Sequence, residues 1–322
     1  MSQELEFALM EERDSAHVLA LYQTLYPQLG WTERTLKWQY FENPAGVARV
    51  WVGRDGDRVV STYAAIPHRV YAHGQVSTGW RVQDVLTLPD YRGRGIYNEV
   101  SRKASAALFQ PAFPLNFTFP NEQSHNGFIR TGWTAAFRLP LRTRADAATL
   151  VKRPVAAQVA SISRFGERHE DVWREHRSRF RFALDRDVGY LNWRYVDHPK
   201  FHYASFELSQ GADCAVLVLK HYERADGSRW SHLCDLIQTS DNIALTRSAL
   251  QQWINYTVEH NCQAMSCWSV GGTGFDRLLN EYSCTATADY TRWCVVNTNA
   301  PDAAGAVDEA QWYLAMGDSD VF

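Results

Sequence analysis

Leu86-Thr87-Leu88-Pro89-Asp90-Tyr91-Arg92-Gly93-Arg94-Gly95-Ile96-Tyr97 is the stretch that decides how this chain reads. A strand-like run, Val82–Leu88, ends at a proline, a short loop with two glycines follows, and a helix starts near Ile96. Without side chains at 93 and 95, backbone N–H groups can converge on an anion at the helix N-terminus, where the helix dipole is positive. Arg92 and Arg94 add charge suited to a pyrophosphate. Taken alone, the same residues also suit a surface turn with two capping glycines.

Upstream, Leu5–Met10 reads as a strand, and Ser15–Tyr26 and Thr32–Phe41 as helices. Asn43-Pro44 ends the second helix, since the residue before proline avoids the α region. Arg49–Gly53 and Val59–Ile66 alternate or are β-branched, with Asp55-Gly56 as a hairpin turn between them. Downstream come a helix at Ile96–Phe109, a strand at Leu115–Phe119, a helix at Glu122–Arg130 and a closing strand at Ala135–Leu141.

This order of elements, with Thr87, Pro89, Tyr91, Arg92 and Gly95 at matching positions, resembles the acetyl-CoA site of the GNAT N-acyltransferase superfamily. The family signature is Val-x-Pro-x-Tyr-Arg-x-x-Gly-x-Gly/Ala, and Tyr97 replaces its last small residue. Asn121 to Trp133 resembles a second family motif, Asn-x-x-Ala/Ser seven residues before a tyrosine and ending in Gly-Phe. The resemblance covers roughly residues 4 to 141. It implies acetyl-CoA, or another acyl-CoA, as co-substrate. Leu86, Thr87 and Leu88 would pair their backbone with the pantetheine arm as an added strand does. Arg92, Gly93, Arg94, Gly95, Ile96 and Tyr97 would hold the pyrophosphate. Asn121, Phe128 and Arg130 would complete the cofactor side from the later helix. The family's tyrosine, which protonates the departing CoA thiolate, falls on Phe128, and phenylalanine cannot donate a proton.

A repeat runs through the chain. Thr35-Leu36-Lys37-Trp38-Gln39-Tyr40-Phe41-Glu42-Asn43-Pro44 recurs 155 residues later as Tyr190-Leu191-Asn192-Trp193-Arg194-Tyr195-Val196-Asp197-His198-Pro199. Gln83-Asp84-Val85-Leu86-Thr87 resembles Cys234-Asp235-Leu236-Ile237-Gln238 at an offset of 151, and Gly127-Phe128 matches Gly274-Phe275 at an offset of 147. The expected fold is therefore α/β (α+β): two tandem GNAT-like folds, each a mixed, mostly antiparallel sheet flanked by helices. Residues 1–145 would form the acyl-CoA-binding domain, 146–158 a linker, and 159–322 a degenerate copy with a C-terminal tail. In that copy the strand-to-helix junction has no glycine or arginine, and Asp241 would repel a pyrophosphate.

The chain has 322 residues, 45% hydrophobic and 21% charged, with a net charge of -3. That balance argues against nucleic acid or an anionic membrane as the main partner. The N-terminus carries Glu4, Glu6, Glu11, Glu12 and Asp14 and no apolar leader, so the expected location is the cytoplasm. The 6 cysteines, Cys214, Cys234, Cys262, Cys267, Cys284 and Cys294, form no CxxC pair, and no metal site is expected.

Amine acylation needs a base. Asp84 is the first candidate, although Asp235 at the equivalent place favours a structural role. His125 and Asp318 are further candidates, with His68, His73 and Glu122 beside them. Trp312–Met316 is apolar enough to dock as a strand, which would hold Asp318 and Asp320 near an amine. Arg174, Arg177, Arg179 and Arg181 are either a clamp for an anionic acceptor or a solvated face. The expected activity is N-acetyl transfer to the amine of a small acceptor, an amino sugar or glycan precursor by family resemblance. The alternative is a non-catalytic acyl-CoA-binding sensor or scaffold.

Overall fold

The computed structural model describes residues 5–110, 115–269, 274–297 and 305–319. Its contacts divide into two compact units. The first is the chain up to Phe137 together with Trp293–Val307; the second is Arg138–Arg292 together with the chain from Asp308.

In chain order the first half forms β1 (Glu6–Leu9), α1 (Ser15–Leu25), α2 (Glu33–Tyr40), β2 (Arg49–Asp55), β3 (Arg58–Ala72), β4 (Gln75–Thr87), α3 (Ile96–Leu108), β5 (Asn116–Thr118), α4 (Glu122–Arg130) and β6 (Thr134–Arg144). The second half forms β7 (Gln158–Ile162), α5 (Glu167–Arg177), β8 (Phe182–Leu184), α6 (Val188–Tyr195), β9 (Ala204–Gln210), β10 (Asp213–Glu223) and β11 (Arg229–Gln238). It continues with α7 (Ile243–Glu259), β12 (Ala264–Trp268), α8 (Gly274–Glu281), β13 (Thr285–Asn297) and β14 (Trp312–Tyr313). The strands expected at Val59–Ile66 and Val82–Leu88 are the ends of one long hairpin whose turn lies at His73 and Gly74, not two short pieces.

The strands of each unit follow one scheme. In the first, β1, β2, β3 and β4 run antiparallel in order, β5 joins β4 in parallel, and Val295–Asn297 of β13 closes on β5. In the second, β7, β9, β10 and β11 run antiparallel, β12 joins β11 in parallel, and Leu141–Arg144 of β6 closes on β12. The duplicated order of elements is thus a duplicated fold, each copy a mixed, mostly antiparallel sheet flanked by helices. The expected boundaries need correction, because each unit takes its last strand from the other half of the sequence. Ala135–Leu141 does not simply close the first copy, and residues 293–307 leave the second. An uncovered edge strand offers unpaired N–H and C=O groups, and this exchange covers the edges of β5 and β12.

Two apolar layers hold the first sheet. On one face Val18, Leu21, Tyr22, Leu36 and Tyr40 of α1 and α2 pack on Val50, Val60, Ile66, Leu86 and Leu88. On the other, Ile96, Val100 and Ala104 of α3 and Phe128 of α4 pack with Trp133 on Trp51, Tyr63, Trp80 and Val82. Among the described residues no helix is long and apolar enough to cross a membrane.

Candidate functional site

The geometry starts at an irregularity in β4. Thr62 pairs with Leu86 but Ala64 pairs with Gln83, so Asp84 and Val85 together face Tyr63. This is a β-bulge, and it bends the strand that carries it. Asp84 takes the left-handed conformation, φ 53°, which aspartate tolerates better than most residues. Two side chains of β3 fix the bend: Thr62 Oγ1 donates to the Asp84 carbonyl at 2.8 Å, and Ser61 Oγ donates to the Leu86 carbonyl at 2.8 Å.

Past the bulge, Leu88 N–H donates to Val60 O at 2.9 Å, so this end of the strand stays attached to β3. On the opposite edge, β5 pairs with β4 only at Trp80 and Arg81. Among the described residues the ladder is not continued along Leu86–Leu88, and that edge is open. Backbone groups alternate along a strand, so Thr87 turns its N–H and C=O to the open edge. There Arg92 Nε donates to the Thr87 carbonyl at 3.1 Å.

The loop after β4 leaves its backbone exposed at the start of α3. Gly93 and Gly95 have φ 74° and 75°, and a Cβ added at either would meet no atom within 4 Å. Space is not the constraint; backbone conformation is, because L side chains are strained there. Gly95 caps α3 without any side-chain bond, so the first N–H groups of that helix are not taken up by a cap. Arg92, Gly93, Arg94 and Gly95 are all exposed. The loop is pinned from beneath: Ile96 is buried against the sheet, Tyr91 Oη donates to Asp55 Oδ2 at 2.6 Å, and the Arg94 guanidinium lies 5.0 Å from the centre of the Tyr91 ring.

Tyr97, the departure from the family pattern, points away from this loop. Its ring lies against Gly127 of α4, so close that a Cβ there would sit 2.9 Å from two ring carbons. Glycine at 127 makes room for the tyrosine at 97. Asn121, an exposed residue, caps α4, its Oδ1 accepting from Ser124 N–H at 2.9 Å. Arg130 is exposed in the last turn of α4. Phe128 is buried, with its ring centre 6.2 Å from Tyr63, 6.2 Å from Tyr97 and 5.5 Å from Trp133.

Of the acid–base candidates, Asp84 is part of the bulge. Its Oδ2 accepts from Gln39 Nε2 at 2.6 Å, Gln83 Nε2 at 3.0 Å and Tyr40 Oη at 3.1 Å. His125 is half-buried on α4, its Nδ1 3.4 Å from Asn126 Oδ1. Asp318 belongs to the second unit and is fully buried. Both of its oxygens accept from Arg186 Nη2, at 2.8 and 2.9 Å, and Oδ2 also accepts from Ala315 N–H. Burial raises its pKa and Arg186 pulls it back. This carboxylate holds the tail in place, so its reading as a catalytic group is withdrawn. The expected tail strand is real but short, Trp312–Tyr313 pairing in parallel with β8, followed by a single helical turn at Met316–Asp318. Asp320 lies outside the described residues.

Three arginines of the run are already engaged by carboxylates. Arg174 pairs with Glu170 and Asp171, Arg177 with Asp185, and Arg179 with Asp241. The corresponding helix start in the second unit is also occupied: Asn242 caps α7, accepting from Ala244 N–H at 2.9 Å and Leu245 N–H at 3.3 Å. Where Gly95 leaves N–H groups available, Asn242 uses them.

Residues 7–136 match a family model described as acetyltransferase (GNAT) domain. This part of the chain is a GNAT domain. No curated protein sequence matches the chain. Three solved structures show how far the fold extends. A GCN5-related N-acetyltransferase from Anabaena variabilis ATCC 29413 has a TM-score of 0.68 at 14% identity, with 92% of this chain and 73% of that one covered. A probable N-acyltransferase of unknown function from Enterococcus faecalis V583 has a TM-score of 0.67 at 16% identity, covering 92% and 73%. Saccharomyces cerevisiae N-myristoyltransferase with bound myristoyl-CoA has a TM-score of 0.59 at 9% identity, covering 91% and 82%. At such identities the likeness is one of fold. The bulge, the open edge of β4 and the glycine loop all lie within the matched residues.

Proposed function

We propose that the protein is an N-acyltransferase that moves an acetyl group from acetyl-CoA to the amine of a small acceptor, in the cytoplasm. The observation that carries this reading is the exposed Gly93–Gly95 loop at the uncapped start of α3, beside the open edge of β4. A pyrophosphate would sit on the loop N–H groups with Arg92 and Arg94 beside it. The pantetheine would add to the edge at Leu86–Leu88, and Asn121 would meet it from α4. Ile96, Tyr97, Phe128 and Arg130 would shape this cofactor side, the first three from beneath.

The attacking amine would add directly to the thioester carbonyl. Holding the two reactants in register supplies much of the acceleration, and a strand N–H polarises the carbonyl as charge develops on its oxygen. The acceptor class, an amino sugar or glycan precursor, rests on the family resemblance alone. The test is thiol release from acyl-CoAs of two to fourteen carbons against a panel of amino sugars and simple primary amines. Acceptor-dependent release supports transfer. Phe128, which lacks a donor, favours the second reading, a sensor that binds CoA without chemistry. Tight CoA binding with no release for any acceptor would establish that reading instead.

A further inference from the structure

The strand exchange that covers β5 and β12 leaves the outer edge of β7 bare. Among the described residues β7 pairs with β9 alone, in antiparallel register from Gln158↔Ser209 to Ile162↔Ser205. Its other edge presents the N–H and C=O of alternate residues without a strand to receive them. The side chains are uncovered as well: Gln158, Val159, Ala160 and Ser161 are all exposed, Val159 by 38%. Proteins guard such edges with charges, proline or bulges, because an open strand is a template for another chain.

β7 carries none of those guards. Residues 154–163 include no charged side chain, and their one proline, Pro154, lies outside the strand. The register against β9 runs through all five residues without a bulge. β1, the edge strand of the first unit, is different: it carries Glu6, and Glu11, Glu12 and Asp14 follow it. We propose that β7 is a self-association edge, which pairs antiparallel with β7 of a second copy of this chain across a twofold axis at Ala160.

The strand fits its own reverse. Only residues of one parity turn their N–H and C=O outward, so two copies must cross at a residue and not between two. Ala160 is the centre that pairs all five residues. Gln158 then faces Ile162 of the second copy, and Val159 faces Ser161, so no charge meets a like charge. Arg164, the first charge beyond the strand, falls opposite Ala156 and is held by Asp197 of its own chain. A twofold pairing uses up both open edges and closes at two copies, so it does not run on into a filament. Five residues a side make a small interface, so the dimer is weak, with a dissociation constant of roughly 10–100 μM.

Sedimentation of the full chain from about 1 to 300 μM is expected to show monomer giving way to dimer. Ala160→Lys sets two like charges at the axis. Because Ala160 is exposed, the variant should unfold at the native temperature while its dimerisation weakens at least about tenfold. Cross-linking reads the register independently. Two residues facing each other at the axis have Cα atoms about 4.5–5.5 Å apart, within reach of a disulfide, whereas the two Gln158 residues would lie about 13 Å apart. The described cysteines are buried, so an added one stands out against the native chain oxidised in parallel. Mild oxidation at about 100 μM should link the Ala160→Cys protein into dimers and leave the Gln158→Cys protein largely unlinked. A dimer whose association Ala160→Lys leaves within about threefold of native would overturn the proposal, as would equal linking at the two positions. A chain that stays monomeric throughout would overturn it too and leave the edge to a different protein.

Discussion

Tyr40 donates a hydrogen bond to Asp84 Oδ2 at 3.1 Å, joining the end of α2 to the bulge of β4. The relationship recurs in the second unit, where Tyr195 at the end of α6 donates to Asp235 Oδ2 at 2.8 Å. There too the sheet is irregular, with the register shifting between Val218 and Leu219 of β10. The Leu-x-Trp-x-Tyr repeat therefore plays the same structural part in both units, its tyrosine bracing the aspartate beside a strand irregularity. Only the first unit adds a glycine loop to that frame.

Asp84→Gly tests whether the aspartate braces or catalyses. Glycine suits φ 53° better than aspartate does, so backbone strain falls. Yet Gln39, Gln83 and Tyr40 lose their common acceptor. We expect a loss of about 2–4 kcal/mol in denaturant unfolding, because partly buried donors left unpaired carry their desolvation cost. Asp84→Asn, which keeps an acceptor, should lose less than half of that. A glycine variant as stable as the native protein would show that the carboxylate is retained for chemistry.

Gly93→Glu places a carboxylate where the pyrophosphate is expected and forces an L side chain to φ 74°. The strain should cost about 1–2 kcal/mol of stability. CoA affinity should fall by at least about 100-fold, through charge repulsion in addition to lost loop geometry. Unchanged affinity in calorimetry would remove the loop from the site.

CoA stoichiometry should be one per chain. Asn242 already satisfies the first N–H groups of α7, and Asp241 is held by Arg179 at the same junction. A pyrophosphate there would meet a carboxylate and a capped helix. Two sites per chain in the same titration would disprove the contrast between the halves.

Residues 1–145 expressed alone should not fold. Their sheet would lack the β13 segment that pairs Val295–Asn297 with Asn116–Thr118, leaving β5 as a bare edge three residues long. Residues 159–322 would likewise lack Leu141–Arg144 beside β12. Aggregation or loss of cooperative unfolding is expected for each half, with recovery on co-expression. A monomeric, cooperatively folded 1–145 fragment would contradict this.

The loop, the order of elements and the duplication were legible because they depend on local signals: glycines at 93 and 95, Pro89, and the spacing of Leu, Trp and Tyr. The exchange of closing strands was not. Ala135–Leu141 has the pattern of a strand, but pattern carries no record of which β5-like edge a strand joins. Asp318 was misplaced because its partner, Arg186, lies 132 residues away. Short-range charge patterns cannot reveal such a pair.

Lys220 supplies a prediction about pH. It is buried on β10, with Nζ 3.9 Å from the centre of the Phe201 ring and 5.8 Å from that of Tyr203. Burial lowers its pKa from 10.5 to about 8, aided by repulsion from Arg194 and Lys200. Below pH 8 the lysine is charged both folded and unfolded, and stability does not change through it. Between pH 8 and 10.5 the unfolded chain holds more protons, so stability rises with pH. The whole rise from this group amounts to roughly 3 kcal/mol at most. Lys220→Met fills a similar volume without the charge. Near pH 7 the variant should therefore be the more stable, by up to roughly 3 kcal/mol less about 0.5–2 for the lost cation–π contact. Its advantage should shrink steadily in urea unfolding from pH 8 to pH 10. An advantage that stays constant over that range would mean that Lys220 keeps its proton in the folded protein, with the aromatic rings offsetting its burial.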